Sequence, residues 1–381
     1  MISDGEFHSG LPNSRQRLLL NACVEPDLRR ATALGERWLD GADLEHLDGG
    51  SRRMMGLLYY QLAEGSAGHP KMARLKAYFH RNWASNQSHL IQLVPVVESL
   101  ERAGIPSLVL KGMPLAFSVY PHPGMRPMAD SDLLVPCAAA EAAMDHLTKM
   151  GARRTDRPPV IPRGWDPGVV LRMNHGVNFI LPRGDQLDLH WYSLEECCNR
   201  DIDDSFWARR VPFTAEGRRL NTLAIEDHLL HVCVHGLRAD RAESSFRWLA
   251  DATWLIRKRG DSIRWDLLVE EARRRMLSYT VAKALSILAE TTGAAVPKEV
   301  PASLEAQVTT KLERWAFRGN LATSPRSKGA TLWLRFVRMT PTYNRWQRLR
   351  KFPDYLRRRW TMESYGAIAR HFVRKGLGRV G

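Results

Sequence analysis

Two aspartates stand one residue apart in the segment RPMADSDLLVP, residues 126–136. The apolar run after Asp132 predicts a β-strand, and side chains at positions i and i+2 of a strand share a face. Asp130 and Asp132 would therefore lie side by side, although two carboxylates held that close repel each other unless a cation lies between them. The spacing indicates a metal site at the start of this strand.

Two further segments offer residues that suit the same chemistry. Residues 105–112, IPSLVLKG, predict a strand that ends at Lys111 and Gly112, and the helix predicted to follow would present free N–H groups to an anion. Asp188 lies in another predicted strand, QLDLHW. If these strands are neighbours, three carboxylates meet beside an anion-binding turn. Such oxygen ligands suit Mg²⁺ bound with substrate phosphates, with Mn²⁺ as an alternative ion. Two ions can support an in-line phosphoryl transfer, and the third carboxylate could accept the proton.

The histidines allow two interpretations. His228, His231 and His235 share one helical face by their i, i+3, i+7 spacing, which would permit zinc binding, but no matching ligand cluster is evident and a place along the cleft or in the helix packing is favoured. His190 is expected on the face of its strand opposite to Asp188, in a supporting or packing role. His175 is expected near the cleft.

The helical and strand patterns divide the chain into four regions. Residues 1–103 predict a helical region with a long helix from about 70 to 102 that Gly104 ends. Residues 104–215 predict a small mixed sheet with an amphipathic helix and a hairpin over 175–191. Residues 216–300 predict helices that pack on this core, and residues 301–381 predict further helices, broken near Pro341 and Pro353. The predicted fold class is α+β.

The positive charge of the chain is concentrated in its last region. The formal net charge is +15, and residues 301–381 hold 18 Lys and Arg against 4 Asp and Glu, whereas residues 1–300 are nearly neutral. Aromatic residues interleave with these cations, as they do on nucleic-acid surfaces and in amphipathic helices. The C-terminal region is therefore where an acidic or phosphorylated acceptor, or RNA, would bind.

Composition also bears on the compartment. The sequence contains no apolar run of the length that a transmembrane helix needs, and its N-terminus is polar and unlike a secretory signal. The five cysteines form no CxxC pair. These features predict a cytoplasmic protein in a reducing environment, without membrane insertion.

The segment LVLKGMPLAFSVYPHPGMRPMADSDLLVP resembles the uncharacterised nucleotidyltransferase family within the DNA polymerase β-like superfamily. The residues that carry the resemblance are Leu110, Lys111, Gly112, Tyr120, Pro121, Arg126, Pro127, Met128, Asp130, Asp132, Leu133, Leu134 and Val135. LDLHW, residues 187–191, is similar to the family's strand with the third carboxylate, and two later segments, EDHLLHVCVHGLR and FRWLADATWLI, resemble its downstream helices. The resemblance spans roughly residues 90–260.

The resemblance implies transfer of a nucleoside monophosphate from an NTP, such as ATP, to an acceptor with release of pyrophosphate. It implies that Asp130 and Asp132 bind both Mg²⁺ ions and that Asp188 binds the catalytic ion and helps to activate the nucleophile. The wider superfamily usually has Gly-Ser in the first turn, where this chain has Lys111 and Gly112. We therefore expect Lys111 or Arg126 to supply the positive charge for the phosphates.

The sequence leaves the acceptor open. A hydroxyl or phosphate group of a small molecule, a peptide or a protein would suit the predicted core. Two alternatives remain: a toxin–antitoxin style enzyme that modifies tRNA or a partner protein, and a non-catalytic protein that binds nucleotides or nucleic acid. Three clustered carboxylates argue against the non-catalytic alternative. The choice of NTP and the oligomeric state cannot be read from the sequence.

Overall fold

A small mixed sheet is surrounded by helices in the computed structural model of the protein, which describes residues 11–155, 168–237, 246–308, 311–321, 325–368 and 370–371. This is the predicted α+β class. The longer helices are α1 Ser14–Val24, α2 Leu28–Asp40, α4 Met55–Leu62, α5 Met72–Arg102, α7 Ala140–Lys149, α10 Ile225–Gly236, α11 Arg247–Arg259, α12 Trp265–Arg274, α13 Ser278–Thr292, α14 Glu299–Ala306, α15 Lys311–Leu321, α16 Pro325–Met339 and α17 Arg345–Arg359. Short helices are α3 Gly49–Arg52, α6 Gly112–Pro114, α8 Gly168–Met173 and α9 Asp204–Ala208. None of the described helices is both long enough and apolar enough to cross a membrane.

The N-terminal helices begin at side-chain caps. The Asn13 side chain accepts a hydrogen bond from the Gln16 backbone, and the Asp27 side chain accepts one from the Arg30 backbone at 2.9 Å. Such caps satisfy N–H groups that have no partner within the helix. The Asp43 side chain closes a turn by accepting from the Glu45 backbone at 2.8 Å. After this turn Asp48 caps the short helix α3 by accepting from the Ser51 backbone, and α4 follows.

The long helix α5 matches its prediction closely. It ends where Gly104 takes a left-handed conformation, with a φ of 74°, and Pro95 lies within it. One face of α5 is apolar and buried, including Leu75, Leu93 and Leu100. This face joins the N-terminal helices to the sheet in one hydrophobic core.

Five strands form the main sheet in the order β1-β2-β5-β4-β3. They are β1 Leu108–Leu110, β2 Ser131–Leu134, β3 Arg153–Arg154, β4 Gly176–Ile180 and β5 Gln186–His190. β2 and β5 are parallel, and the other neighbouring strands are antiparallel. The predicted hairpin over 175–191 is confirmed as β4 and β5.

A second hairpin was not predicted. Its strands are β6 Val211–Ala215 and β7 Arg218–Thr222, and they pair antiparallel. Glu216 and Gly217 connect them with φ angles of 45° and 75°, as the tight two-residue turns of hairpins require. The hairpin crosses the predicted boundary between residues 215 and 216, and the division into four regions stays a prediction.

The C-terminal helices α16 and α17 form a hairpin, called here the C-terminal hairpin, with a small hydrophobic core of its own. Phe336, Tyr355 and Leu356 are buried in this core, and Met173 at the end of α8 packs against it. The predicted break at Pro341 is confirmed, because this residue lies between the two helices. The break predicted at Pro353 is wrong: this proline lies inside α17, on an exposed position.

The loop that leads into β2 is held by two asparagines of α5. Asn86 is fully buried, and its side-chain amide donates to the carbonyl oxygens of Pro123 at 2.7 Å and Arg126 at 2.8 Å. Asn82 donates to the Gly124 carbonyl at 3.1 Å. Because buried carbonyl groups need partners, these bonds fix the path of the chain just before the aspartate pair.

Replacing Asn86 with Leu should lower the free energy of unfolding by about 2–3 kcal/mol, since the buried Arg126 carbonyl would lose this donor and the Pro123 carbonyl would lose its shorter hydrogen bond. Urea denaturation measures this change. Gln87→Ala is the matched control, because the neighbouring Gln87 bonds to Glu216 at the surface, and its loss should cost less than about 0.5 kcal/mol. Equal stability of the Asn86→Leu variant and the native chain would contradict the assigned role.

Candidate active site

The strand register brings Asp132 and Asp188 together. Asp132 pairs with Leu110 of β1 on one side and with Asp188 of the parallel strand β5 on the other. Residues directly opposite each other on neighbouring strands project to the same face of a sheet. Two carboxylates 56 positions apart in the sequence thereby become lateral neighbours, as the strand assignment predicted.

Asp132 is almost completely buried, and two basic side chains contact the same oxygen of its carboxylate. The Lys111 ammonium group forms an ion pair with Asp132 Oδ1, and His190 Nε2 lies 2.9 Å from that oxygen. Burial alone would raise the pKa of Asp132, but the charge of Lys111 and the hydrogen bond with His190 outweigh it and hold the pKa well below its ordinary value. Asp132 is therefore a carboxylate near neutral pH.

Asp132, Asp188 and His190 form a group that could hold a metal ion. One donor atom of each lies within 4.8 Å of the others. The expectation that His190 faces away from Asp188 is wrong. The two residues are separated by one position, and alternation along a strand puts such residues on the same face. The sequence contained this information, and the third member of the group could have been identified from it.

His175 stands beside this group. Its ring centroid is 5.3 Å from that of His190, with an interplanar angle of 30°. Gly176 makes this approach possible, because a Cβ atom there would lie 2.9 Å from His190 Nδ1 and 2.6 Å from the Leu189 carbonyl oxygen. The turn into β4 therefore places a second imidazole next to His190, which contacts Asp132.

The turn after β1 has an unusual backbone. Lys111 has a φ of 51° and a ψ of −106°, a conformation that residues with side chains rarely adopt. At Gly112 a Cβ atom would lie 2.9 Å from Met128 Sδ and 3.0 Å from Arg126 Nη1, so a side chain at this position would have to displace these two neighbours. The turn is thus packed directly against the segment that leads to Asp130.

Arg126 forms an ion pair with a residue of a helix that is distant in the sequence. Its guanidinium group is buried and makes two hydrogen bonds to Asp251 of α11, at 2.8 and 2.9 Å. The Tyr120 hydroxyl group donates to the same carboxylate at 2.8 Å, and Arg247 donates to the Pro127 carbonyl at 3.0 Å. The Arg126–Asp251 pair thus joins the loop before β2 to α11. The role of Tyr120 in this network was not predicted.

Two other predicted residues lie outside the group of three. Asp130 precedes β2 by one residue and is half-buried, and within the described chain it is not part of the potential metal group. His231 is buried in α10, where its Nε2 lies 3.0 Å from the Ser193 carbonyl oxygen and its ring stacks on His235. In the described ranges the α10 histidines form no potential metal group.

The site lies within a segment that matches a known family. Residues 51–293 match the family described as uncharacterised nucleotidyltransferase. The chain belongs to this nucleotidyltransferase family. No curated protein matches the chain significantly. Among solved structures, the chain is similar to an antigenic nucleotidyltransferase-like protein from Paracoccidioides brasiliensis, with 13% sequence identity and a TM-score of 0.35 over 58% of this chain and 94% of that chain.

Family membership supports nucleotidyl transfer as the general activity of the chain. The matched segment includes both β2 and β5, and it also includes Asp251 and the α10 histidines. The C-terminal hairpin lies outside the match. The family therefore accounts for the candidate active site but not for the most basic part of the chain.

His228 lies just below the turn that carries Lys111. It is buried in α10, its ring bonds to the Lys111 backbone, and its Nε2 has no hydrogen-bond partner among the described residues. Burial lowers the pKa of His228 to about 4, and the charge of Arg126 contributes to this shift. A proton on Nε2 would have no acceptor, so the folded state requires the neutral ring.

His228 should make the protein less stable as the pH falls from about 6.5 towards 4. Its folded pKa lies below its unfolded pKa, so its contribution is complete above about pH 6.5 and is lost on acidification, by about 2–3 kcal/mol at most. The free energy of unfolding, measured by urea denaturation across this range, should fall less steeply in a His228→Gln variant. Parallel pH profiles for the variant and the native chain would contradict this assignment.

Proposed function

We propose that this protein is a Mg²⁺-dependent nucleotidyltransferase that transfers a nucleoside monophosphate from an NTP to a hydroxyl or phosphate acceptor and releases pyrophosphate. The observation that carries the proposal is the pairing of Asp132 with Asp188 across two parallel strands, next to the Lys111 turn. A paired carboxylate site beside a cationic turn suits a metal-bound triphosphate.

The donor set fits a divalent cation. Asp132 and Asp188 offer the carboxylate oxygens that Mg²⁺ prefers, and His190 adds a nitrogen that Mn²⁺ accepts as well. Asp132 and Asp188 would hold the ion, with Asp130 as a further ligand from the turn before β2. When bound, the cation would neutralise charge on the phosphates and polarise the α-phosphorus centre.

The remaining chemistry is assigned to side chains of the site. The acceptor oxygen attacks the α-phosphorus, the bond from this phosphorus to the bridging oxygen of the β-phosphate breaks, and pyrophosphate leaves with the bonding electrons. Asp188 is more accessible than Asp132 and would accept the proton of an acceptor hydroxyl. Before a cation binds, His190 would orient Asp132 through the hydrogen bond at 2.9 Å.

Lys111 is the stronger candidate for binding the triphosphate. Both residues expected to supply positive charge lie near the turn, but Arg126 is buried and bonded to Asp251 through two hydrogen bonds. Lys111 is paired with Asp132 and is partly exposed. In this proposal the ammonium group balances Asp132 in the nucleotide-free protein and moves to the phosphates when metal and NTP bind.

The carboxylates should be essential for transfer. In an assay with α-labelled NTPs, Mg²⁺ or Mn²⁺ and a cell extract as acceptor source, Asp132→Asn and Asp188→Asn should each lower label transfer by at least about a hundredfold. Asp185→Asn is the matched control, because Asp185 lies in the β4–β5 loop and bonds to Ser88 instead. Full transfer by folded Asp132→Asn protein would refute the mechanism.

Removing the Lys111 charge should change metal and nucleotide binding in opposite directions. Without nucleotide, Lys111→Met should bind Mn²⁺ about tenfold more tightly, because the cation no longer competes with the ammonium group for Asp132. The same variant should bind NTP about tenfold more weakly. Calorimetry and Mn²⁺ electron paramagnetic resonance measure both affinities.

Lys149→Met serves as the matched control for this pair of measurements, since Lys149 lies exposed at the end of α7 and outside the site. Both affinities of this variant should equal those of the native chain. If Lys111→Met weakens Mn²⁺ binding in the absence of nucleotide, the ammonium group does not compete with the metal and its assigned role is wrong.

A further inference from the structure

The first half of α17 presents an exposed cationic surface. Arg345, Arg350 and Lys351 are exposed, and the ion pairs found within the described ranges include none of them. The later arginines of this helix differ, because Arg357 and Arg358 pair with Asp354. The exposed cations of α17 that form none of these ion pairs are thus concentrated at its N-terminal end.

Trp346 is exposed in the middle of these cations. Its exposed fraction is 79%, although Phe352, Tyr355 and Trp360 of the same aromatic-rich segment pack against the core of the C-terminal hairpin. Of the four aromatic residues that alternate with arginines in the sequence, Trp346 alone is left without a packing role. A largely exposed indole with arginine neighbours suits stacking on a planar ligand.

The other end of α17 lies beside the candidate active site. Arg359 Nη1 donates to Asn174 Oδ1 at 2.5 Å. The next residue, His175, has its ring next to that of His190, which bonds to Asp132. At 1.5 Å per residue, α17 extends about 21 Å from Arg359 to Arg345. A ligand lying along the helix would therefore have one end beside the His175–His190 pair of the candidate active site.

Positively charged side chains also cluster around Glu195, where the C-terminal hairpin contacts the rest of the chain. Arg335 Nη1 lies 2.8 Å from Glu195 Oε1, and Arg359 Nη2 lies 3.9 Å from the same oxygen. Two guanidinium groups therefore share one carboxylate. Burial and the charge of Arg335 lower the pKa of Arg359. The positive potential therefore continues from the exposed end of α17 to the edge of the active site.

We propose that α17 binds single-stranded RNA and directs an RNA end into the active site. This inference rests on the proposed function, because the bound end would be the acceptor. Phosphates would contact Arg345, Arg350 and Lys351, and a base would stack on Trp346.

Two other polyanionic surfaces fit these observations less well. An acidic peptide would use the cations but would give the indole no planar partner. On an anionic membrane, an amphipathic helix separates its charged face from its apolar face. Here Arg350 follows Trp346 by four positions and therefore shares its helical face. Single-stranded nucleic acid uses cations and aromatic rings that are interleaved on one surface.

The test measures binding of a labelled single-stranded RNA of about 12 nucleotides to the full chain by fluorescence anisotropy, without metal or NTP, over a range of salt concentrations. The variant Arg345→Glu, Arg350→Glu and Lys351→Glu should bind at least about a hundredfold more weakly. Its slope of log affinity against log salt should be smaller by about 2, as expected when three phosphate contacts are lost. Trp346→Ala should bind about tenfold more weakly.

The matched control carries the same change of charge on α2, through Arg29→Glu, Arg30→Glu and Arg37→Glu, all at exposed positions. It should retain RNA affinity within about threefold. The inference is overturned if this control loses as much affinity as the α17 variant. It is also overturned if polyglutamate or anionic phospholipid vesicles of equal total charge displace the RNA as well as unlabelled RNA does.

The binding assay and the transfer assay test the RNA surface and the proposed function separately. A chain that transfers label to an acceptor but binds no RNA would refute the inference and leave the proposed function intact. A chain that binds RNA through α17 but transfers label to no acceptor would confirm the RNA surface and refute its role as an acceptor site. Transfer to RNA that Trp346→Ala impairs would support both.

Discussion

The buried negative charge of Asp132 is the constraint on which this site depends. A carboxylate so removed from water is costly unless a cation or hydrogen-bond donors compensate it. The protein supplies Lys111 from the turn after β1 and His190 from β5, and both contact one oxygen. Three features bring these groups within reach of Asp132. They are the strained backbone at Lys111, the register between β2 and β5, and the lack of a side chain at Gly176.

A second buried ion pair fixes the approach to this site. Arg126 lies in the loop before β2, and its bond to Asp251 ties that loop to α11 across 125 positions of sequence. Asn86 holds the same loop from the other side through the long helix α5. Two separate parts of the chain, α5 and α11, thus hold the loop from which β2 begins. This explains why a buried arginine, which would otherwise suit phosphate binding, instead has a positioning role.

The choice of acceptor concerns the C-terminal hairpin rather than the part of the chain that matches the family. The match to the nucleotidyltransferase family covers the strands, the carboxylates and the buried ion pair, whereas α16 and α17 add a small core and the exposed cations Arg345, Arg350 and Lys351. The hairpin contacts the turn before β4 through Asn174, within two residues of the sheet. Its position next to the carboxylates makes it the natural candidate for selecting the acceptor, because the strands alone carry chemistry common to many acceptors.

The sequence by itself determined several of the elements that carry the site and the residue types expected there. Local periodicity located α5, β1, β2 and the β4–β5 hairpin, and the residue types indicated a paired carboxylate site near Lys111. Alternation also placed His190 beside Asp188, although the opposite face was expected. Only the tertiary structure decided that Arg126 pairs with Asp251, that Pro353 stays within α17 and that Trp346 remains exposed. These outcomes depend on which distant residues meet, and local patterns encode the period of an element but not its partner.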